Sequence, residues 1–451
     1  MVEKRDVRGR SPRRKKYYIV ILILFLFLFA GIIVHFRLNT KNKLRSKIEA
    51  IHAAGYPVTL EELDQLYSIP DNAENAADFI LDAISYYADT NDSRVLKIAD
   101  WKTLSPQGES LSEEIMKHAV SYLRDNQKSL ELLHKAATLQ YCRYPVDLSA
   151  GQKLKIIDLQ IIMRLLGVEA AVHAENGDSE SSVESLICSL NVADSLSNAP
   201  LLVSQLVRMA CQDFNVLTLE HIINTIDFTD EQLAQLSKTI ADKQRLSGIS
   251  YGLTGEICDA ISEFENYSTY MSLNGNKVPL PVKFADSVYR GLGLNKSDAI
   301  IYLDILNKFI EAGELPLHER REAAKKIQVE IDNISRIHLV LKSTTPSYTQ
   351  FLSRELTDIS KLRAAQVALA VQRYRLKNEK LPDSLSNLVP EYFDSVPTDP
   401  FDGKQLRYKK LDSGFVIYSI DKDLIDDGSK EEPKDKRQKV PHWDITITIK
   451  K

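Results

Sequence analysis

The chain has 451 residues, 27% of them charged, with a formal net charge of −4, nine histidines and four cysteines. Setting aside the basic first sixteen residues leaves about −10, so there is no basic stripe for nucleic acid and no nucleic-acid partner is expected. Cys142, Cys188, Cys211 and Cys258 lie far apart, with no C-x-x-C and no Cys/His ligand spacing, which argues against a structural zinc site.

Residues 1–16 carry eight Lys or Arg against Glu3 and Asp6, and Tyr17–Val34 (YYIVILILFLFLFAGIIV) carries no charge. Eighteen residues at the helical rise make roughly 27 Å, and reaching Phe36 makes about 30 Å, one hydrocarbon core. A transmembrane signal anchor over residues 17–36, seated in a lipid bilayer, is therefore expected. The basic cluster resists translocation, which predicts a cytoplasmic tail at 1–16 and export of everything after the span. That places the chain as a single-pass protein of a bacterial inner membrane with its bulk periplasmic or extracytoplasmic. Arg37, Lys41, Lys43, Arg45 and Lys47 on the far flank weaken this asymmetry without reversing it. A cleaved secretory signal is the alternative, but its apolar core would be unusually long and no A-x-A-like site follows. Ala30-Gly31 is a lone small pair without G-x-x-x-G, the pattern of an anchor more than of a dimerisation face.

About 415 further residues exceed one hydrophobic core, so two units are expected: an α-helical domain over 37–345 and a smaller domain over 350–451. Lys41–Ala54 continues as a polar helix to Gly55-Tyr56-Pro57. Asn72–Tyr87 is amphipathic, with Ala76, Phe79, Ile80, Ala83 and Ile84 on one face. Ser112–Gln140 reads as helix with a break near Asn126, and Tyr141–Ala150 as a connector because Pro145 disfavours helix before it. Leu154–Ala174 is apolar nearly all round and reads as the hub. Lys155, Asp158, Arg164 and Glu169 within it make a second membrane span expensive. Helices over Ser181–Leu196, over Leu201–Ile226 and from Phe228-Thr229-Asp230 to Arg245 come next, separated by Gly177-Asp178 and Asn198-Ala199-Pro200. The cysteines fall on predicted helices among apolar residues and read as buried thiols; export also permits a disulfide, with Cys188 and Cys211 the pair on neighbouring helices. Residues 266–298 read as loop-rich, with helices resuming at Asp298–Gly313 and Leu317–Leu341. These helix–turn–helix units weakly resemble tetratricopeptide solenoids but lack a fixed 34-residue period, so an irregular α-helical array is expected.

After Ser343-Thr344-Thr345-Pro346 the pattern changes. A helix over Leu352–Lys377 ends R-Y-R-L-x-N. Then come L-P-x-S-L-x-x-L-V-P-x-Y (381–392), V-P-x-D-P-F-x-G-x-x-x-x-Y (396–408), strands over Gln405–Lys409 and Phe415–Ser419, an Asp-rich loop, and a strand over Asp444–Ile449. This order resembles the C-terminal domain of the type II secretion system major pseudopilin, over about 355–449. The fold expected there is α/β: one helix packed on a three-stranded antiparallel sheet. In that family the loop between the last strands binds calcium, which carries over to Asp421, Asp423, Asp426, Asp427 and Asp444 as a candidate calcium site; the plainer reading is a solvated acidic turn. Two departures stand out. Ser429–Lys439 inserts a loop with five Lys or Arg, and the N-terminus lacks the glycine and glutamate of a prepilin-peptidase site, so assembly into a pseudopilus is not expected.

No catalytic motif emerges. His318-Glu319 lacks the second histidine of a zinc protease, His173 and Glu175 read as surface groups, and Gly291-Leu292-Gly293 lacks a third glycine and a preceding strand. The expectation is a mainly α, membrane-anchored envelope protein with a structural or protein-interaction role, an unidentified envelope partner and no catalysis. A non-assembling accessory of a type II secretion or pilus-like system is the alternative, and a hydrolase with a non-contiguous site comes third.

Overall fold

The computed structural model describes residues 12–88, 110–152, 159–244, 248–273, 280–335, 348–431 and 443–451. Most of the basic tail, the Ser343–Pro346 junction and most of the Ser429–Lys439 insertion lie outside the described residues. In chain order the helices are α1 (Pro12–Ala53), α2 (Leu60–Leu66), α3 (Ala76–Tyr86), α4 (Glu113–Asp125), α5 (Gln127–Ala137), α6 (Leu159–Glu175) and α7 (Ser179–Asp194). They continue with α8 (Leu202–Thr225), α9 (Asp230–Lys243), α10 (Gly248–Leu273), α11 (Leu280–Leu292), α12 (Leu294–Glu314), α13 (Leu317–Asp332) and α14 (Tyr348–Asn378). Strands β1 (Arg407–Lys410), β2 (Phe415–Ser419) and β3 (Ile445–Ile449) form one antiparallel sheet in that order. The chain is thus mainly helical with one small sheet. It divides into two compact units, one of residues 1–58, 259–304 and 335–345, the other of 59–258, 305–334 and 346–451.

In the first unit, α1 is 42 residues long and apolar enough to cross a membrane, with none of its apolar window buried. Its lower half changes character: Thr40, Leu44 and Ile51 are buried, and Lys47 pairs with Asp304. The helix stops before Gly55, whose φ of +89° suits glycine. Among the described residues of 266–298 the loop-rich expectation is corrected, since α10 runs to Leu273 and α11 and α12 cover 280–292 and 294–298; residues 274–279 lie outside the described residues. Pro281 sits in the first turn of α11, where an amide donor is unused anyway, and the chain turns only at Gly293 with φ +79°.

In the second unit, α3 starts at Ala76, after the Asn72 start expected, because Asn75 caps it, its side chain accepting from the Ala77 N–H at 3.2 Å and from the Arg143 N–H at 2.9 Å. The break at Asn126 separates α4 from α5, and its buried amide donates to the Tyr122 and Ala88 carbonyls. Helix α6 is buried on almost every side and packs on α7, α8 and α4. A Cβ at Gly167 would come within 2.5 Å of the Phe214 ring, so glycine sets the close approach of α6 and α8. Thr229 closes a reciprocal capping box with Gln232 at the start of α9.

One hydrophobic core runs from α8 and α9 (Leu219, Ile222, Leu236) through α14 (Leu362, Ala365, Ala368) to Phe415, Ile417 and Ile447 of the sheet. The helical array and the C-terminal module therefore share buried surface. Strands β1 and β2 turn at Gly414, where φ is +86° and a Cβ would lie 1.8 Å from the Ile449 carbonyl oxygen. The V-P-x-D-P-F motif is organised by Asp399, fully buried, which accepts from Phe401 N at 2.9 Å, Ile420 N at 3.1 Å and Ser419 Oγ at 2.9 Å, and pairs with Arg407.

Candidate functional site

A cleft of about 570 Å³ opens between α8, α14, β3 and the loop from Asp421 to Glu431. Helix α8 turns Asp213, Leu217, Glu220 and Asn224 onto one stripe at helical spacing, and α14 does the same with Gln350, Arg354, Thr357 and Lys361. The core below holds the two helices together, so their polar stripes face the same space.

The α14 wall is cationic but occupied. Arg354 and Lys361 both pair with Asp213, the lysine at 2.9 Å. The opposite wall is acidic. Glu220 accepts from the Thr448 N–H at 2.9 Å, and Asn224 donates to the Thr448 carbonyl at 2.9 Å while accepting from the Lys450 N–H at 2.7 Å. Two α8 side chains thus satisfy the outer backbone of β3, an edge that would otherwise invite another strand. Asp444 accepts from the Ser429 N–H at 2.7 Å. Asp421 is almost wholly buried and its Oδ1 has no hydrogen-bond partner. Burial holds both carboxyls above the ordinary aspartate range. His221, also lining the cleft, is pushed down to about 4 by burial, so although Glu175 lies 3.9 Å away its imidazole is neutral at pH 7. Trp443 forms part of the wall, with the Lys422 ammonium 5.9 Å from its ring centre.

Beneath the stripes lies a buried polar layer. Glu355 accepts from Arg320 at 3.1 Å and from the Ile249 N–H at 3.1 Å. Burial pushes its carboxyl up to about 7 against the pull of Arg320. Asp358, one turn on, is likewise pushed up to about 7 by burial, with Arg208 opposing, and its Oδ1 has no hydrogen-bond partner. Arg208 is itself buried and donates to Gln205 at 3.1 Å.

The five aspartates of the calcium expectation are distributed differently from one another. Asp421 and Asp444 both line the cleft. Asp423 accepts from the Ile425 N–H at 3.0 Å, and Asp426 accepts from the Gly428 N–H at 3.0 Å with Arg407 3.8 Å away. Asp427 Oδ2 is buried without a partner. Among the described residues no three His, Cys, Asp or Glu side chains stand together as a metal-holding group. The cysteines are thiols, not half-cystines. Burial pushes Cys142 and Cys211 up to about 12 and Cys188 well up, which makes them poor nucleophiles at neutral pH.

Sequence reading missed the α8 and α14 stripes. The signal was present as charged and amide residues three and four apart on two otherwise apolar helices. Nothing in it told which stripe would meet which. No protein-family model, no curated protein and no solved structure matches this chain.

Proposed function

We propose that this chain is a single-pass envelope protein, anchored in a bacterial inner membrane through residues 17–36, with its N-terminus cytoplasmic and its bulk exported. Its role is structural or interaction-based, without catalysis, and its partner is another envelope protein. The observation that carries this reading is α1: from Tyr17 to Val34 no side chain is buried and all but Ile33 are exposed, so roughly 27 Å of uncharged helix is left open by the described residues. In water such a surface would be costly, whereas a hydrocarbon layer of about that thickness matches it.

The helical array is read as an irregular, weakly tetratricopeptide-like scaffold, and residues 350–451 as a pseudopilin-like module. That module favours a second reading, a non-assembling accessory of a type II secretion or pilus-like system. The closure of the β3 edge by Glu220 and Asn224 fits a module that does not add strands.

The test is a pair of reporters fused after Lys451. A phosphatase active only in the exported compartment is expected to be on. Activity of a cytoplasm-only reporter at the same place would overturn the topology and the envelope role together.

A further inference from the structure

We propose that α11 is an interfacial helix. The face of α11 that carries Phe284 and Val288 lies in the headgroup–acyl boundary of the bilayer that α1 spans, beside the point where α1 leaves it. This contact rests on the reading of α1 as an anchor and adds a second lipid contact to it, whichever compartment receives the bulk of the chain.

The pattern of α11 suits such a role. At helical spacing positions 280, 284 and 288 (Leu, Phe and Val) share one face, while Lys283, Asp286 and Arg290 fall on another. Phe284 is 73% exposed and Val288 45%, so the described residues leave that apolar face open. A different side of the helix is tied down, since Tyr289 donates to the buried Asp298 of α12.

The position of α11 says what covers the open face. A Cβ at Gly293, directly after α11, would come within 2.9 Å of Arg37 Cγ. Arg37 is the first Lys, Arg, Asp or Glu after the uncharged span, three residues past Val34 and so about 5 Å beyond it along the helix. From Gly293 the chain follows α1 away from the span, because Asp304, eleven residues on, pairs with Lys47, ten residues past Arg37. The end of α11 is thereby fixed at the boundary of the span. Phe284, nine residues earlier, lies within about 14 Å of helix from that contact.

Lipid fits this face better than a protein does. A stable protein interface takes roughly 800 Å² from each partner, more than one Leu, one Phe and one Val can present. A helix already held at the membrane by an anchor needs only a few apolar side chains to enter the boundary, because the tether supplies the local concentration. The two basic residues of α11 against one acidic also suit anionic headgroups.

The experiment reconstitutes the full chain in vesicles of phosphatidylcholine and phosphatidylglycerol, with acyl chains brominated near the glycerol end or near the methyl end. The readout is tryptophan quenching above the wild-type background of Trp101 and Trp443. Phe284→Trp is expected to lose about half of its added fluorescence to the shallow bromines and much less to the deep ones, as for a helix seated about 5–10 Å into the boundary. Leu26→Trp, near the middle of the span, reports the anchor and should be quenched more by the deep bromines. Glu49→Trp, exposed on α1 about 22 Å past Val34, should match the background. If Phe284→Trp alters the melting temperature, Val288→Trp serves with the same expectation. Quenching at Leu26→Trp without quenching at Phe284→Trp would overturn the proposal and leave the anchor standing. Access of aqueous iodide would then place the face in water, and protection from both quenchers would mean that protein covers it. Quenching of Glu49→Trp as strong as that of Phe284→Trp would also overturn it, since the lipid contact would not be confined to α11. No quenching at Leu26→Trp or Phe284→Trp would overturn the anchor reading and the proposal with it.

Discussion

Helices α1 and α6 are both apolar around their circumference, and they meet opposite environments. From Tyr17 to Val34 no side chain of α1 is buried, while α6 buries Leu159, Ile162, Leu165, Leu166 and Val168 against its neighbours. The difference lies in what each helix does with charge. The α1 span has none. In α6, Arg164 reaches solvent and Glu169, although buried, bonds His134 Nε2 at 2.9 Å. A charge is tolerable in an apolar helix where protein supplies a partner or an exit, and costly where only hydrocarbon would surround it. Hydropathy alone does not separate the two helices; the polar exceptions do.

The sharpest way to break this comparison is to place the same charge in both. Leu166→Asp buries a carboxylate among α6 and its neighbours and removes a fully buried leucine. A loss of about 4 kcal/mol or more is expected, read as a large drop in melting temperature by near-ultraviolet circular dichroism. Leu26→Asp in α1 should leave that melting curve in place. It adds about 2.5–3.5 kcal/mol to insertion, so the chain should become extractable from membranes by alkaline carbonate. Equal melting losses in the two variants would mean that α1 is packed on protein.

The buried layer on α14 extends the comparison to an amphipathic helix. Glu355→Ala leaves Arg320 buried without its carboxylate and is expected to cost about 3–5 kcal/mol. Asp358→Asn tests the proton instead. Its folded carboxyl is raised, so the native state holds the proton more tightly than the unfolded chain. Stability contributed by this group therefore falls as pH rises from about 4, the unfolded aspartate range, to about 7, and is flat above. The variant should show a shallower decline over that window in urea unfolding. An unchanged slope would mean that Asp358 is solvated.

The smallest effect belongs to the α6 exception. The hydrogen bond that the His134 imidazole donates to the Glu169 carboxylate raises its pKa, so the stability it contributes is fully present below the ordinary histidine range and is lost as pH rises through the raised value. Glu169→Gln should remove this gentle decline and leave stability at pH 9 nearly unchanged. His134 is partly open to solvent, which keeps the effect modest.

Much of the fold could be read residue by residue. Periodicity located α3 to α9 and α14, Asn126 marked a break, Thr229 a cap, and the alternation of Phe415–Ser419 and Ile445–Ile449 the strands. The reading failed at 266–273 and 280–298, where glycine and proline look like loop punctuation although Pro281 and Gly293 sit at helix boundaries that accept them. The cleft was hardly legible at all. Asp421 and Asp444 stood out only as part of an acidic loop, and their cleft partners on α8 lie about two hundred residues away in sequence.

By itself the sequence determined the features that neighbouring residues dictate: the uncharged span and its basic flank, the helical and alternating periods, the turns. Those are local because helix and strand periods, caps and hydrocarbon matching depend on residues within a few turns of one another. Only tertiary structure decided that α14 would share its core with α8 and α9, that Asn224 and Glu220 would close the β3 edge, and that Asp421 would be buried with an oxygen unmet. Burial and pairing are properties of surfaces brought together from distant parts of the chain, and side-chain chemistry at such a contact is set by its neighbours in space.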